Sequence, residues 1–225
     1  MPRYSGSSWR SYRPRAAAAA AASAVPLSGV SVDCRILGLD PGSLRTGFGL
    51  IDCSAAGERH VVNGCILAGN GGFPQRLRCI YEAIAILIEE HRPDEIAIER
   101  VFMHRNPDSA LKLGQARGAA ICAAVTRGAA VHEYAARAIK LAVSGYGAAD
   151  KAQVAQMVTA LLGLARRPAA DAADALAVAL CHAQTRRVAA LVRSPVAAPV
   201  AARVARRTGT PARALRAGTR AGSRP

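Results

Sequence analysis

The chain predicts an α/β protein with a five-stranded mixed sheet flanked by helices, and three observations carry that expectation. Three short apolar, β-leaning runs separated by turn clusters open its central part. Amphipathic helical patterns then alternate with two further short apolar runs. At 225 residues with 51% hydrophobic content, the chain is long enough for one domain with a sizeable core, and no repeat or membrane-length apolar span interrupts it.

The first three runs, residues 35–40, 46–52 and 60–67, read as an antiparallel meander joined by hairpins. Residues 73–90 (FPQRLRCIYEAIAILIEE) set Leu77, Ile80, Tyr81, Ile84, Leu87 and Ile88 at helical spacing, and HRPD then breaks the helix before a fourth strand over 95–102. Asn106-Pro107-Asp108-Ser109 starts a second, small-residue-rich helix reaching about 126. A fifth strand over 130–134 and helices over 150–164 and 168–184 complete the pattern, which is that of an α/β layer.

Charge divides the chain. The formal net charge is +15, yet residues 34–185 carry 16 basic and 14 acidic side chains, whereas residues 186–225 carry ten arginines and no acid. Three regions are therefore expected: an Arg/Ala-rich disordered extension over 1–33, a folded core over 34–187, and a disordered basic tail over 188–225. Neither end has the large apolar residues that would offset ordering entropy. The first segment, Arg-rich with seven consecutive alanines, has some features of a targeting peptide. Alanine is weakly apolar and no long hydrophobic segment follows, so a cytoplasmic protein with no membrane partner is the expectation. The six cysteines form no C-x-x-C pair and sit mostly in apolar runs, which suits free thiols in a reducing compartment.

The acids of the core sort by position. Asp40 ends the first strand directly before Pro41-Gly42, and by itself that is good β-turn chemistry. Glu99 ends the fourth strand, where an acid is often paired with a neighbour such as Arg100 or left in solvent. Asp171 and Asp174 lie three apart at the start of the last helix, where the helix dipole favours acids. A cap explains one of them, but hardly both. Residues at i and i+3 share a helix face, and strand ends at one sheet edge can face a helix that crosses them, so all four carboxylates are able to converge. Such a cluster repels itself unless a cation sits within it. Oxygen donors without His or Cys select Mg²⁺ or Mn²⁺, and two such ions roughly 3.5 to 4 Å apart suit phosphodiester hydrolysis.

The blocks ILGLDPGSLRTGFGLID, AIERVFMHRNPDSALKLGQARGAAICAAV, VHEYAARAIKLAVSGYGAADKAQVAQMV and DAADALAVALCHA, in this order from about residue 36 to 183, resemble the motif blocks of the RuvC-type Holliday-junction resolvases. The resemblance implies an RNase H-like fold, a homodimer, and a Mg²⁺-dependent endonuclease holding two ions per subunit, with Mn²⁺ as a substitute. It implies paired, symmetric nicks in opposed strands of four-way junction DNA during recombination and repair, leaving 5′-phosphate and 3′-hydroxyl ends. It also implies cooperation with a branch-migration helicase complex of the Ruv type. Asp40, Glu99, Asp171 and Asp174 match the family's catalytic, metal-holding carboxylates. Lys140 and Lys151, two of only three lysines in the chain, match catalytic lysines near the scissile phosphate. Phe102 matches an aromatic that stacks on a base.

Arg105, Lys112 and Arg117 lie on or near the DSALKLGQARG helix and are expected to contact the phosphate backbone, while the small residues of that helix suit close packing across a dimer. His104, His132 and His182 show no cluster by spacing and are expected to be structural. The Ser43-Leu44-Arg45 turn, residues 68–72 and the basic tails depart from the family pattern. The competing readings are an actin-like ATPase, for which the core is too short, and an inert homologue, which would be expected to lose an acid. A nuclease of the same fold acting on other branched DNA or RNA/DNA hybrids remains the alternative.

Overall fold

The computed structural model describes residues 33–100 and 106–193. Phe102, His104, Arg105 and nearly all of the two terminal segments lie outside the described residues. The chain divides into two units, Met1–Val188 and Ala189–Pro225, and the elements below belong to the first, save the last residues of the final helix.

Five strands, β1 (Cys34–Asp40), β2 (Arg45–Ser54), β3 (Gly57–Leu67), β4 (Glu95–Glu99) and β5 (Ala130–Tyr134), form one mixed sheet in the order β3-β2-β1-β4-β5. β1, β2 and β3 are the antiparallel meander, because each connection is too short for a crossover. Helix α1 (Phe73–His91) carries the chain over the sheet to β4, which lies parallel to β1. Helix α2 (Pro107–Val125) carries it on to β5, parallel to β4. Then come α3 (Ala136–Ser144), α4 (Lys151–Leu161) and α5 (Ala170–Arg193).

The two-residue period of each strand sorts the side chains onto two cores. Leu37, Leu39, Phe48, Leu50, Ile96 and Ile98 face α1 and α2. Ile36, Ile51 and Ala97 face α5, with Ile139 and Val143 of α3 and Val154 and Val158 of α4 packed into the same layer. Phe48, Leu50, Ile80 and Ile84 are almost wholly inaccessible, and each such burial is worth about 1.5–3 kcal/mol. On β1 the same alternation puts Gly38 and Asp40 on the α5 face.

Three elements differ from the sequence-based expectation. α3 was not anticipated: it is only nine residues long, and its periodic signal is the single buried pair Ile139 and Val143 before Gly145 turns left-handed at φ 72°. β4 ends at Glu99 rather than running on to 102, with Arg100 already outside the strand. α5 continues past 184 to Arg193, since TRRVAALVR contains no Gly or Pro to stop it.

Candidate active site

Asp40 stands at the end of β1, where buried Thr46 closes the turn: its hydroxyl donates to Gly42 O (3.1 Å) and accepts from Gly42 N (3.3 Å). The parallel register Leu39↔Ile98 makes Asp40 and Glu99 the next rung on neighbouring strands, which run about 4.8 Å apart. Both point to the α5 face. The end of β4 is secured from behind by Arg117, whose Nε donates to Glu99 O (3.2 Å) and whose terminal nitrogen pairs with Glu133 (2.7 Å). Arg100 N donates to Tyr134 O (2.7 Å) beside it.

Asp171 and Asp174 reach the same place because α5 rests directly on bare sheet. Gly38 and Gly49 are cross-strand partners, and Gly47 is opposite Asp40. A Cβ on Gly47 would fall 1.9 Å from Asp171 O, and one on Gly38 would fall 2.1 Å from Ala175 O. These glycines let the helix backbone come within contact of the strands, so its first turn lies over the ends of β1 and β2.

Each helical acid is held by a cation. Arg45 Nε donates to Asp171 Oδ2 (2.6 Å), and the Cys65 thiol donates to the same oxygen (3.4 Å). Lys151 Nζ donates to Asp174 Oδ2 (2.6 Å). Lys151 opens α4, whose N-terminus is fixed by a capping box between Asp150 and Gln153. Its ammonium is drawn up in pKa first by Asp174 and then by Asp40 and Glu99. A positive charge therefore already stands among three of the four acids, and the site suits a cation.

The electrostatics of Asp40 and Glu99 point the same way. Burial, then the nearby Glu99, Asp174 and Asp171, push Asp40 from 3.8 up to about 7, against the pull of Lys151. Burial and Asp174 raise Glu99, while Lys151 and Lys140 hold it down. No three of the four carboxylates bring oxygens within 4.8 Å of one another. Mutual repulsion and the Arg45 and Lys151 clamps account for that spacing, and hard dications between them would relieve it.

A pH dependence follows. Asp40 holds its proton more tightly folded than unfolded, so between about pH 4 and about pH 7 the metal-free protein binds more protons when folded and loses stability as pH rises. The effect is bounded at about 4 kcal/mol, less what solvent screens at the partly exposed Asp40. Urea unfolding in chelator at pH 5 and pH 8 should show this fall in wild type and a flatter profile in Asp40→Asn. Equal slopes in the two proteins would contradict the placement of Asp40.

The structure thus brings together Asp40, Glu99, Asp171, Asp174 and Lys151, with Lys140 felt electrostatically at Glu99. Lys112 is half-buried and pairs with Asp108 one turn away (2.5 Å). Arg117, expected on the phosphate backbone, is instead partly buried behind Glu99, where its Nε donates to Glu99 O and a terminal nitrogen, without a well-aligned hydrogen bond, forms an ion pair with Glu133. Arg45 and Cys65 had not been anticipated at the site.

A family model described as Crossover junction endodeoxyribonuclease RuvC matches residues 36–182. The protein of that name from Marinobacter nauticus is 61% identical over 148 residues, 66% of this chain and 85% of that one. Its namesake from Methylococcus capsulatus is 58% identical over 153 residues, 68% and 92% of the two chains. Among solved structures, Thermus thermophilus RuvC in complex with Holliday junction substrate is similar at 32% identity and TM-score 0.65, covering 69% of this chain and 96% of that one. The yeast mitochondrial Holliday junction resolvase Ydc2, at 10% identity and TM-score 0.57, shares the fold.

Proposed function

The chain belongs to the RuvC family of crossover junction endodeoxyribonucleases, and on that premise we propose that it resolves four-way DNA junctions through Asp40, Glu99, Asp171 and Asp174. The observation that carries this is the convergence of four acids from β1, β4 and α5 at one sheet edge, with Asp40 pushed up to about 7 by its neighbours and by burial. The proposed cofactor is Mg²⁺, two ions per subunit with Mn²⁺ as a substitute, which when bound supplies Lewis-acid stabilisation of the phosphodiester and an activated water.

The chain's own part is positional. Strand ends hold Asp40 and Glu99 rigidly, and Arg117 fixes the backbone that carries Glu99. Lys151 neutralises Asp174 and stands near Asp40 and Glu99, where its ammonium would meet a bound phosphate as a compact charge. Lys140, like Lys151, favours the charged form of Glu99 against the effect of burial. Lys112, Phe102 and Arg105 are proposed DNA contacts, and residues 34–187 the nuclease domain, with the basic segments beyond it as accessory phosphate-tracking arms in a cytoplasmic enzyme.

Paired nicking calls for two sites, and α2 offers a face for a second copy. Leu111 and Val125 are exposed there, 67% and 53% accessible. Between them, Cβ atoms added to Gly114 or Gly118 would meet nothing within 4 Å, and the i+3 and i+4 spacings put these positions on one stripe.

A supercoiled plasmid extruding a cruciform tests both halves of the reading. The expected product with Mg²⁺ is linear DNA carrying ligatable 5′-phosphate ends, with no build-up of nicked circles and no reaction in chelator. Nicked circles alone would sink the dimer, and equal cutting of plain duplex or RNA/DNA hybrid would favour the broader nuclease reading. The Ruv-type helicase partnership is likewise proposed from family membership, and co-sedimentation on the same junction reads it out.

A further inference from the structure

A second constellation of ligand-type side chains lies on the same sheet face at the opposite end of β4. Glu95 begins that strand and Glu99 ends it, so the two are separated by about 13 Å. Glu95, His132 of β5 and His182 of α5 bring one oxygen and two nitrogens within 4.8 Å of one another. His132 and His182, which show no cluster by sequence spacing, thus meet across three elements.

A hydrogen-bonded core explains part of this arrangement. His182 is buried at 2% exposure, its Nε2 joins Glu95 Oε2, and its Nδ1 joins the Tyr134 hydroxyl (2.6 Å). Arg186 pairs with the other oxygen of Glu95 (3.2 Å). His132 is not needed for any of this. Its Nε2 stands 3.6 Å from Glu95 Oε2, too long for a hydrogen bond, while its ring stacks on His182 with centroids 4.3 Å apart.

We propose that Glu95, His132 and His182 form a binding site for a transition-metal dication of the zinc class, separate from the carboxylate cluster. Two imidazoles and one carboxylate suit Zn²⁺, Co²⁺ or Ni²⁺ over Mg²⁺. Tetrahedral zinc with ligands at about 2.0–2.1 Å spaces its donors about 3.3–3.5 Å apart; the Glu95–His132 separation is near that, while an ion would take the place of the direct Glu95–His182 hydrogen bond and the stacked imidazoles would turn their nitrogens toward it. Tyr134 orients His182 through Nδ1 and Arg186 orients Glu95 through Oε1, the outer contacts that metal ligands ordinarily have. His132 is half-exposed, which leaves a solvent-side position for water. The ion would tie β4, β5 and α5 together, stiffening the helix that carries Asp171 and Asp174.

Cobalt titration of the tag-free full chain, with millimolar Mg²⁺ present to occupy the hard-oxygen site, tests this without reference to cleavage. The expected result is one Co²⁺ per chain with the intense visible absorption of a four-coordinate ion. His132→Ala, at a half-exposed position with no hydrogen bond to lose, should weaken uptake roughly tenfold or more with an unchanged circular dichroism spectrum, and Glu95→Gln should do likewise. Zn²⁺ should raise the unfolding temperature of wild type and not of His132→Ala. Uptake unchanged in His132→Ala, or no uptake at micromolar Co²⁺, overturns the proposal.

Discussion

Asp40→Asn is expected to bind four-way junctions as wild type does and to cut them at least about a thousandfold more slowly, the scale of losing an aimed electrostatic group in a reacting site. The substitution keeps the shape of the side chain and removes its anionic oxygen. Asp40 is the acid most surrounded by the others, with Glu99, Asp174 and Asp171 all raising its pKa, so its loss empties the middle of the cation site. The same change relieves repulsion, and at pH 8 in chelator the variant should be more stable than wild type by on the order of 1–3 kcal/mol. Loss of function with gain of stability separates a catalytic acid from a turn residue, whose replacement would cost stability and leave cutting intact. Cleavage within tenfold of wild type would remove Asp40 from the centre.

How much of this was legible in the sequence depended on the distance over which each signal acts. Asp40 before Pro-Gly and the Asp171/Asp174 pair are local patterns, and their combination with Glu99 pointed to the site. Five strands and four of the five helices also announced themselves by period, whereas α3 was too short to do so. Contacts made by folding alone were hidden. Arg45 and Asp171 are 126 residues apart, and nothing in the Ser43-Leu44-Arg45 turn marks the arginine as a clamp on a carboxylate. Cys65 read as one apolar thiol among six. Arg117 looked like a phosphate contact because a basic residue on a helix usually faces solvent, yet it lies under the end of β4. The pairing of Gly38 with Gly49 required the strand register, although glycines two apart in Gly47-x-Gly49, within an otherwise apolar strand, were a usable hint of close backbone approach.

That hint leads to the second large effect. Gly47→Ala adds one methyl group where the backbone of α5 already lies: the new carbon would sit 1.9 Å from Asp171 O and 2.6 Å from its carbonyl carbon. Gly47 is in an ordinary strand and has no positive φ, so the alanine is excluded by contact and not by backbone conformation. A main-chain carbonyl is unable to rotate out of the way as a side chain does, so the first turn of α5 must lift by an ångström or more. Overpacking of this kind costs roughly 1–3 kcal/mol. The larger consequence is chemical, because the turn that moves carries Asp171, and Asp174 follows three residues later. A displacement of about 1 Å at a reacting centre costs about a hundredfold in rate. Gly47→Ala should therefore lose junction cleavage about a hundredfold or more while remaining folded, and should need more Mg²⁺ for half-maximal rate. If Gly47→Ala cuts junctions at the wild-type rate and Mg²⁺ requirement, α5 does not rest on the sheet as described, and the placement of Asp171 and Asp174 beside Asp40 fails with it.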